Sequence, residues 1–294
     1  MTHLGEEILP SNTLLNESAF LVLKKKNADR KMFTLGNSES LKNDLARLLE
    51  KEAYSIIFHE KESREVVFSL LKRISIPYCE YEAIEYFKTN DFYTYEHLLA
   101  VFCLSTFIGS LLRIDNNPYN SFLGSLSHDI GKCSVPLDIL QKKDSLTQRE
   151  RKYIEHHTLA GYALLTYYSG VDNSSSAIIA RDHHENIRGS GYPIGKKQVD
   201  LQTEIVIACD IYDALLSPRP YRREAFNNRA ALEELTKRTV EGQISEEIIK
   251  VLVASNRMKK SLWYDCKISK EYRGSSPKEN NYGNIQDEKD FKIE

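Results

Sequence analysis

The chain has 294 residues, of which 41% are apolar and 28% charged, and its formal net charge is −2. That balance belongs to a soluble globular protein of one large domain or two modest ones. It excludes binding to nucleic acid or an anionic membrane through bulk charge, so an anionic ligand has to be met by a local basic patch.

In chain order, the N-terminus has no basic start followed by an apolar run, so no secretory signal is read there. Phe20–Leu23 and Lys31–Leu35 read as short strands joined by a charged turn. Ser38 or Ser40 is placed to cap a helix running through Leu41, Leu45, Leu48 and Leu49. Tyr54–Phe58 reads as another strand, and Val66–Leu71 returns to helical spacing. Residues 1–85 are therefore expected to form a small α/β domain with a regulatory or partner-docking role. Residues 86–267 are read as a catalytic domain that is almost wholly helical. Its uncharged stretch Leu98–Leu112 is too short to span a membrane and contains Ser105, Thr106, Gly109 and Ser110, which predicts a core helix. Gly and Pro gather at 189–195 and 218–220, as in loops. Residues 268–294 are polar and expected to be disordered. The five cysteines (Cys79, Cys103, Cys133, Cys209, Cys266) include no C-x-x-C pair, so they predict free thiols in a reducing, cytoplasmic setting.

Six of the eight histidines lie between residues 97 and 184. Packing a helical domain does not need histidine, so the concentration points to chemistry. The candidates are His97, the pair His128-Asp129, His156-His157, His183-His184 and Asp210, each in or beside a predicted helix with apolar flanks. Several helices can aim such side chains at one point in a core. Imidazoles and carboxylates without a thiolate suit iron, manganese or another first-row divalent ion. The set exceeds what one ion needs, so two ions are implied, with Asp129 placed to bridge them. Such a pair, roughly 3.5–4 Å apart, clamps a phosphate and activates water, which implies hydrolysis of a phosphate ester. Lys132, four residues after His128, points the same way if the helix continues and would neutralise phosphoryl charge.

Here the sequence resembles a known family. His128-Asp129-Ile130-Gly131-Lys132 is similar to the signature of HD phosphohydrolases. His183-His184-Glu185 followed by Gly189-Ser190-Gly191-Tyr192-Pro193 is similar to that of the HD-GYP subfamily. Val135-Pro136, Ile139-Leu140, His157 with Gly161, Asp210 to Asp213, and Arg219-Pro220-Tyr221-Arg222 continue the series over roughly residues 90 to 255. The resemblance implies a mainly α, helical HD-superfamily bundle. It implies a binuclear, metal-dependent phosphodiesterase that hydrolyses cyclic di-GMP, a bacterial second messenger, to pGpG, GMP or both. Carried over, it implies metal ligands His97, His128, Asp129, His157, His183, His184 and Asp210, a phosphate-contacting Lys132, and Arg219 and Arg222 on the substrate's other phosphate or guanines. Asp213 is open to substrate contact, support of a ligand or a local cap. Tyr192, in the Gly-Tyr-Pro loop, is a candidate contact for substrate or for a signalling partner of the GGDEF type. A homodimer is left open; nucleic acid and membrane are not expected partners.

Some departures matter. Members holding a third metal carry a glutamate one turn before the first histidine; Tyr93 stands there, favouring two metals. Glu96, about 100° away around a helix, is a poor substitute. Arg188 occupies the loop's usual Asp position and Glu204 a usual Arg position, a reversal that predicts a compensating pair. Glu185 is expected to orient a ligand histidine. His156 is set aside because the spacing to Gly161 selects His157; His3 and His59 are expected at the surface. Two other readings keep the motifs: a cyclic di-GMP-binding regulatory module with weak catalysis, and an HD phosphohydrolase of another nucleotide.

Overall fold

The computed structural model describes residues 1–10, 13–26, 31–113, 122–218, 222, 224–258, 262–269, 271–277 and 285–286. The chain is mainly helical, as expected. Helix α1 (Glu17–Lys26) has an acid in its first turn and three lysines in its last, the arrangement a helix dipole favours. It occupies the Phe20–Leu23 run expected to be a strand. That run does not alternate; Ala19 and Leu23 share one helical face and are buried, and Phe20 meets Tyr162 edge-on at 5.0 Å.

Strand β1 (Met32–Thr34) pairs antiparallel with β2 (Ser75–Pro77), with Phe33 opposite Ile76. Between them lie α2 (Glu39–Leu49), α3 (Glu52–Ser55) and α4 (Lys61–Leu71). Ser38, one of the two predicted caps, accepts the Leu41 N–H at 3.1 Å. The strand expected at Tyr54–Phe58 is instead α3 and the turn after it, with Tyr54, Ile57 and Phe58 all buried. A short apolar run cannot tell a strand from a buried helical turn, and among the described residues no strand pairs with this one. The α/β character of this region is thus reduced to the β1–β2 pair.

Helix α5 (Tyr78–Asn90) runs through the boundary expected at 85/86. Helix α6 (Phe92–Leu112) follows, opened by Asp91, whose carboxylate accepts the Thr94 hydroxyl at 2.6 Å. It is the one helix among the described residues long and apolar enough to cross a membrane, and 78% of that apolar window is buried in the protein. It is the central core helix predicted at Leu98–Leu112. Leu41, Leu45 and Phe58 from the N-terminal region share one buried cluster with Leu98, Phe102 and Leu126, so the core runs across the expected boundary.

Helix α7 (Leu123–Ser127) ends at His128, and a 3₁₀ turn (Ile130–Ser134) leads to α8 (Leu137–Leu140). After β3 (Leu146–Thr147) comes α9 (Gln148–Glu155), opened by a reciprocal capping box of Thr147 and Glu150. Then follow α10 (His157–Ser169), α11 (Ser175–Asp182), α12 (Leu201–Leu216), α13 (Asn228–Val240) and α14 (Glu246–Ser255). Part of the tail expected to be disordered is docked: Arg273 and Gly274 N–H groups donate to Glu233, and β4 (Ile285–Gln286) pairs parallel with β3. All five cysteines are free.

Candidate metal centre

Three of the expected ligands stand where helices end. His128 closes α7, His157 follows α9 and opens α10, and His183 closes α11. A helix end leaves carbonyls without partners, and each imidazole uses one. Nδ1 of His128 donates to the Ser125 carbonyl at 2.7 Å, Nδ1 of His157 to that of Ile154, and Nδ1 of His183 to that of Ala180 at 2.9 Å. The spacing is three residues each time. These bonds fix the tautomer and leave Nε2 as a lone pair facing inward. In α6, His97 is held differently: Nδ1 lies 2.5 Å from Asp213 Oδ2.

The four inward nitrogens converge on Asp129. Its Oδ2 lies 3.6 Å from Nε2 of His97 and of His128, and its Oδ1 lies 3.1 Å from His157 Nε2 and 3.6 Å from His183 Nε2. One carboxylate therefore faces two histidine pairs with different oxygens. Asp210 Oδ1 lies 2.9 Å from His97 Nε2, and Asp210 Oδ2 lies 3.9 Å from His184 Nδ1. All seven expected ligands are brought together. Two groups could each hold an ion, His97 with His128 and Asp129, and Asp129 with His157, His183 and His184.

The donor set fits cations. Nε2 of His128 is buried with no hydrogen-bond partner, and Nε2 of His157 lies 3.1 Å from Nε2 of His183. Lone pairs aimed at one another and at a carboxylate are stable only around positive charge. Burial pushes His128 down to about 3, and pushes His184 well below and His157 below the usual imidazole range, so these rings are neutral and can serve as ligands. Burial alone would raise Asp129 and Asp210. Lys132 and the imidazoles hold Asp129 far below the usual carboxylate range, and hydrogen bonding to His97 does the same for Asp210. Burial would lower His97, but its bonds to Asp210 and Asp213 raise it to about 9. That proton sits where a metal would replace it.

The α-helix does not continue to Lys132 as the sequence reading supposed. The 3₁₀ turn instead brings residue i+3 over residue i, and Lys132 Nζ donates to Asp129 Oδ2. The turn also packs tightly on α10. A Cβ on Gly131 would lie 1.9 Å from the His157 carbonyl oxygen, so only glycine fits.

The loop after His184 forms the other wall. Tyr192 stacks on His184, with ring centroids 4.7 Å apart and 24° between planes. A Cβ on Gly191 would come within 2.4 Å of the His184 carbonyl oxygen. Glu185, expected to orient a histidine, grips this loop instead: its buried carboxylate accepts N–H groups of Ile194 (2.7 Å), Gly195 (3.0 Å) and Lys196 (2.9 Å). A cleft of about 420 Å³ opens from the histidines past Lys132, Tyr192, Arg222, Arg238 and Gln243, within the roughly 300–1,000 Å³ of small-ligand sites.

Other expectations change. Asp213 lies behind His97 rather than in the cleft; it is 1% exposed and accepts from His97, Tyr54 and Ser217. Arg222 lines the cleft, but its Nη2 donates to carbonyls ending α12, those of Ala214, Leu215 (3.1 Å) and Ser217 (2.9 Å). Its Nη2 thus caps the end of that helix from a residue that also lines the cleft. Arg219 lies outside the described residues. Arg188 is exposed and Glu204 is buried against Ser245, with no ion pair between them among the described residues, so the compensating pair is not observed. Tyr93 lies parallel to His97 at 6.3 Å, and Glu96 turns away to Lys51 at 2.7 Å. His156 is exposed, whereas His157 is buried. His59 is exposed, but His3 is partly covered and lies 3.4 Å from the Tyr168 hydroxyl. Sequence reasoning missed Tyr54, Arg238 and Gln243. Tyr54 is 159 positions from Asp213, and no local pattern marks it.

Comparison with known proteins agrees with this geometry. A relative named cyclic di-GMP phosphodiesterase PA4108, from Pseudomonas aeruginosa, is 37% identical over 139 residues, 46% of this chain and 33% of the relative. The cyclic di-GMP phosphodiesterase response regulator RpfG of Xanthomonas campestris is 41% identical over 110 residues, covering 37% of this chain and 29% of the relative. A Vibrio cholerae protein named 3'3'-cGAMP-specific phosphodiesterase 3 is 38% identical over 100 residues, 33% of this chain and 21% of that protein. These matches span about a third or less of each relative's length. The family model described as HD domain matches residues 93–245, just over half of the chain and all seven converging residues. The chain therefore belongs to the HD domain family, in the HD-GYP branch whose motifs it carries.

Proposed function

We propose that the chain is a two-metal phosphodiesterase that hydrolyses cyclic di-GMP to pGpG, GMP or both. One observation carries this reading: four buried imidazoles with engaged Nδ1 atoms aim Nε2 at the two oxygens of Asp129, at the closed end of a cleft that Lys132 lines. The names borne by the relatives support the substrate class.

His97, His128, Asp129 and Asp210 would hold one divalent ion, and Asp129, His157, His183 and His184 the other; iron fits this set, and manganese is the alternative. Such ions polarise a phosphodiester and lower the pKa of water beside it. The protein does the rest. Asp129 stays ionised and can face both positions at once. Lys132 adds an ammonium where phosphoryl oxygens gather charge. Tyr192 offers a ring at the cleft wall on which a base can stack. Glu185 fixes the loop that carries it.

The relative named for 3'3'-cGAMP favours a second reading, the same chemistry on a hybrid cyclic dinucleotide. The full chain, purified anaerobically and loaded with iron(II) or manganese, should be given each cyclic dinucleotide in separate reactions. We expect kcat/KM for cyclic di-GMP to be at least roughly tenfold the larger, a difference of about 1.4 kcal/mol in transition-state binding. Preference for 3'3'-cGAMP selects the second reading. Tight binding of cyclic di-GMP without cleavage in a single turnover would make the chain a regulatory module.

A further inference from the structure

Behind the metal centre, three buried groups form a chain that begins in the N-terminal region. The Tyr54 hydroxyl, on α3, donates to Asp213 Oδ1, on α12. Asp213 Oδ2 lies 2.5 Å from Nδ1 of His97, on α6. Tyr54 is 3% exposed, Asp213 1% and His97 2%. Two carboxylates one helical turn apart thus grip the two nitrogens of one imidazole, since Asp210 Oδ1 lies 2.9 Å from His97 Nε2. Asp213 sets which nitrogen faces inward, and Tyr54 sets where Asp213 can put its oxygen.

We infer that Tyr54 is a positioning residue of the metal centre, acting through Asp213 to aim His97. The inference rests on the metal-binding part of the proposed function and goes beyond it, because it makes the N-terminal region a working part of the site. The region is built for that task. Lys51, three residues before Tyr54, pairs with Glu96 of α6 at 2.7 Å, next to His97 in sequence. Phe58 packs on Phe107 with ring centroids 5.6 Å apart. Helix α3 is therefore tied to α6 on both sides of Tyr54, and the hydroxyl is delivered to Asp213 without freedom to wander. A carboxylate that supports a ligand histidine changes metal affinity by roughly 10- to 100-fold when it is disturbed. A tyrosine that holds the carboxylate should move affinity in the same direction and by less.

The test is manganese binding to the full-length, metal-stripped chain, read by equilibrium dialysis with elemental analysis. Tyr54→Phe keeps the ring and removes the hydroxyl. Asp213→Asn keeps the shape and removes the charge. Tyr95→Phe removes a hydroxyl that donates to Asp44 of α2 at 2.8 Å, a bond between the N-terminal region and α6 that involves neither Asp213 nor His97. The wild type should bind two ions. Tyr54→Phe should weaken one of them about fivefold to tenfold and leave the other; Asp213→Asn should weaken the same ion more; Tyr95→Phe should bind as the wild type does. Unchanged binding in Tyr54→Phe would overturn the inference, and so would an equal loss in Tyr95→Phe. If the wild type binds no ion, it is the metal-centre reading that fails.

Discussion

The cleft has two sides built on different terms. On its deep side, His97, His128, His157 and His183 are almost wholly buried, and every Nδ1 is tied to a carbonyl or to Asp213. At its mouth, His184 keeps 29% of its side chain exposed beneath Tyr192, and the remaining wall comes from loop residues, from α12 and from Arg238 of α13. The deep side fixes lone pairs in a dry place where only cations relieve them. The mouth presents ring faces and hydrogen-bonding groups to solvent. On the proposed function, the deep side together with His184 holds the ions and the rest of the mouth selects the substrate, so changes on the two sides should separate into different measurements.

The largest effect is expected at the centre of the deep side. Asp129→Ala removes the one group that faces both histidine pairs. It should abolish binding of both ions and reduce turnover by about a thousandfold or more; elemental analysis beside a cyclic di-GMP assay reads both. Retention of two ions would break the division at its strongest point.

Beside His128, Glu80 is buried and accepts a hydrogen bond from the Ser127 hydroxyl at 2.5 Å. Burial pushes its pKa from an ordinary 4.5 up to about 7. The folded state holds the proton more tightly than the unfolded state, so stability is greatest at low pH and declines as pH rises through that interval. Glu80→Gln removes the cost of ionisation. It should leave unfolding unchanged near about pH 4 and stabilise the fold by about 3 kcal/mol near about pH 8. Urea unfolding at the two pH values checks it, and an equal shift at both would refute the titration.

The smallest effect belongs to the mouth. Tyr192→Ala removes a ring stacked on His184 and facing the cleft. KM for cyclic di-GMP should rise about tenfold, close to 1.4 kcal/mol, as the upper range of an aromatic contact allows. Both ions should remain bound. Loss of an ion in this variant would show that the two sides are not separable.

Much of the site was legible in the chain itself. The ordered histidines and aspartates marked the candidates, and the resemblance to HD phosphohydrolases picked out the seven residues that converge. The residues that support them were not legible. Glu185 was expected to hold a histidine and holds a loop, and Asp213 was left open and stands behind His97. The N-terminal strands at Phe20–Leu23 and Tyr54–Phe58 became helix and turn, because a short apolar run is shaped by what covers it.

The kinds of candidate ligand, their order and most of the helices that carry them follow from side-chain chemistry and a 3.6-residue period. How each candidate is aimed depends on packing between distant parts of the chain. Tyr54 reaches Asp213 across 159 positions, and the carbonyls that lock three imidazoles are backbone groups common to every helix end. A partner chosen by packing leaves no mark in the local pattern, which is why the candidate ligands could be read and the residues that hold them could not.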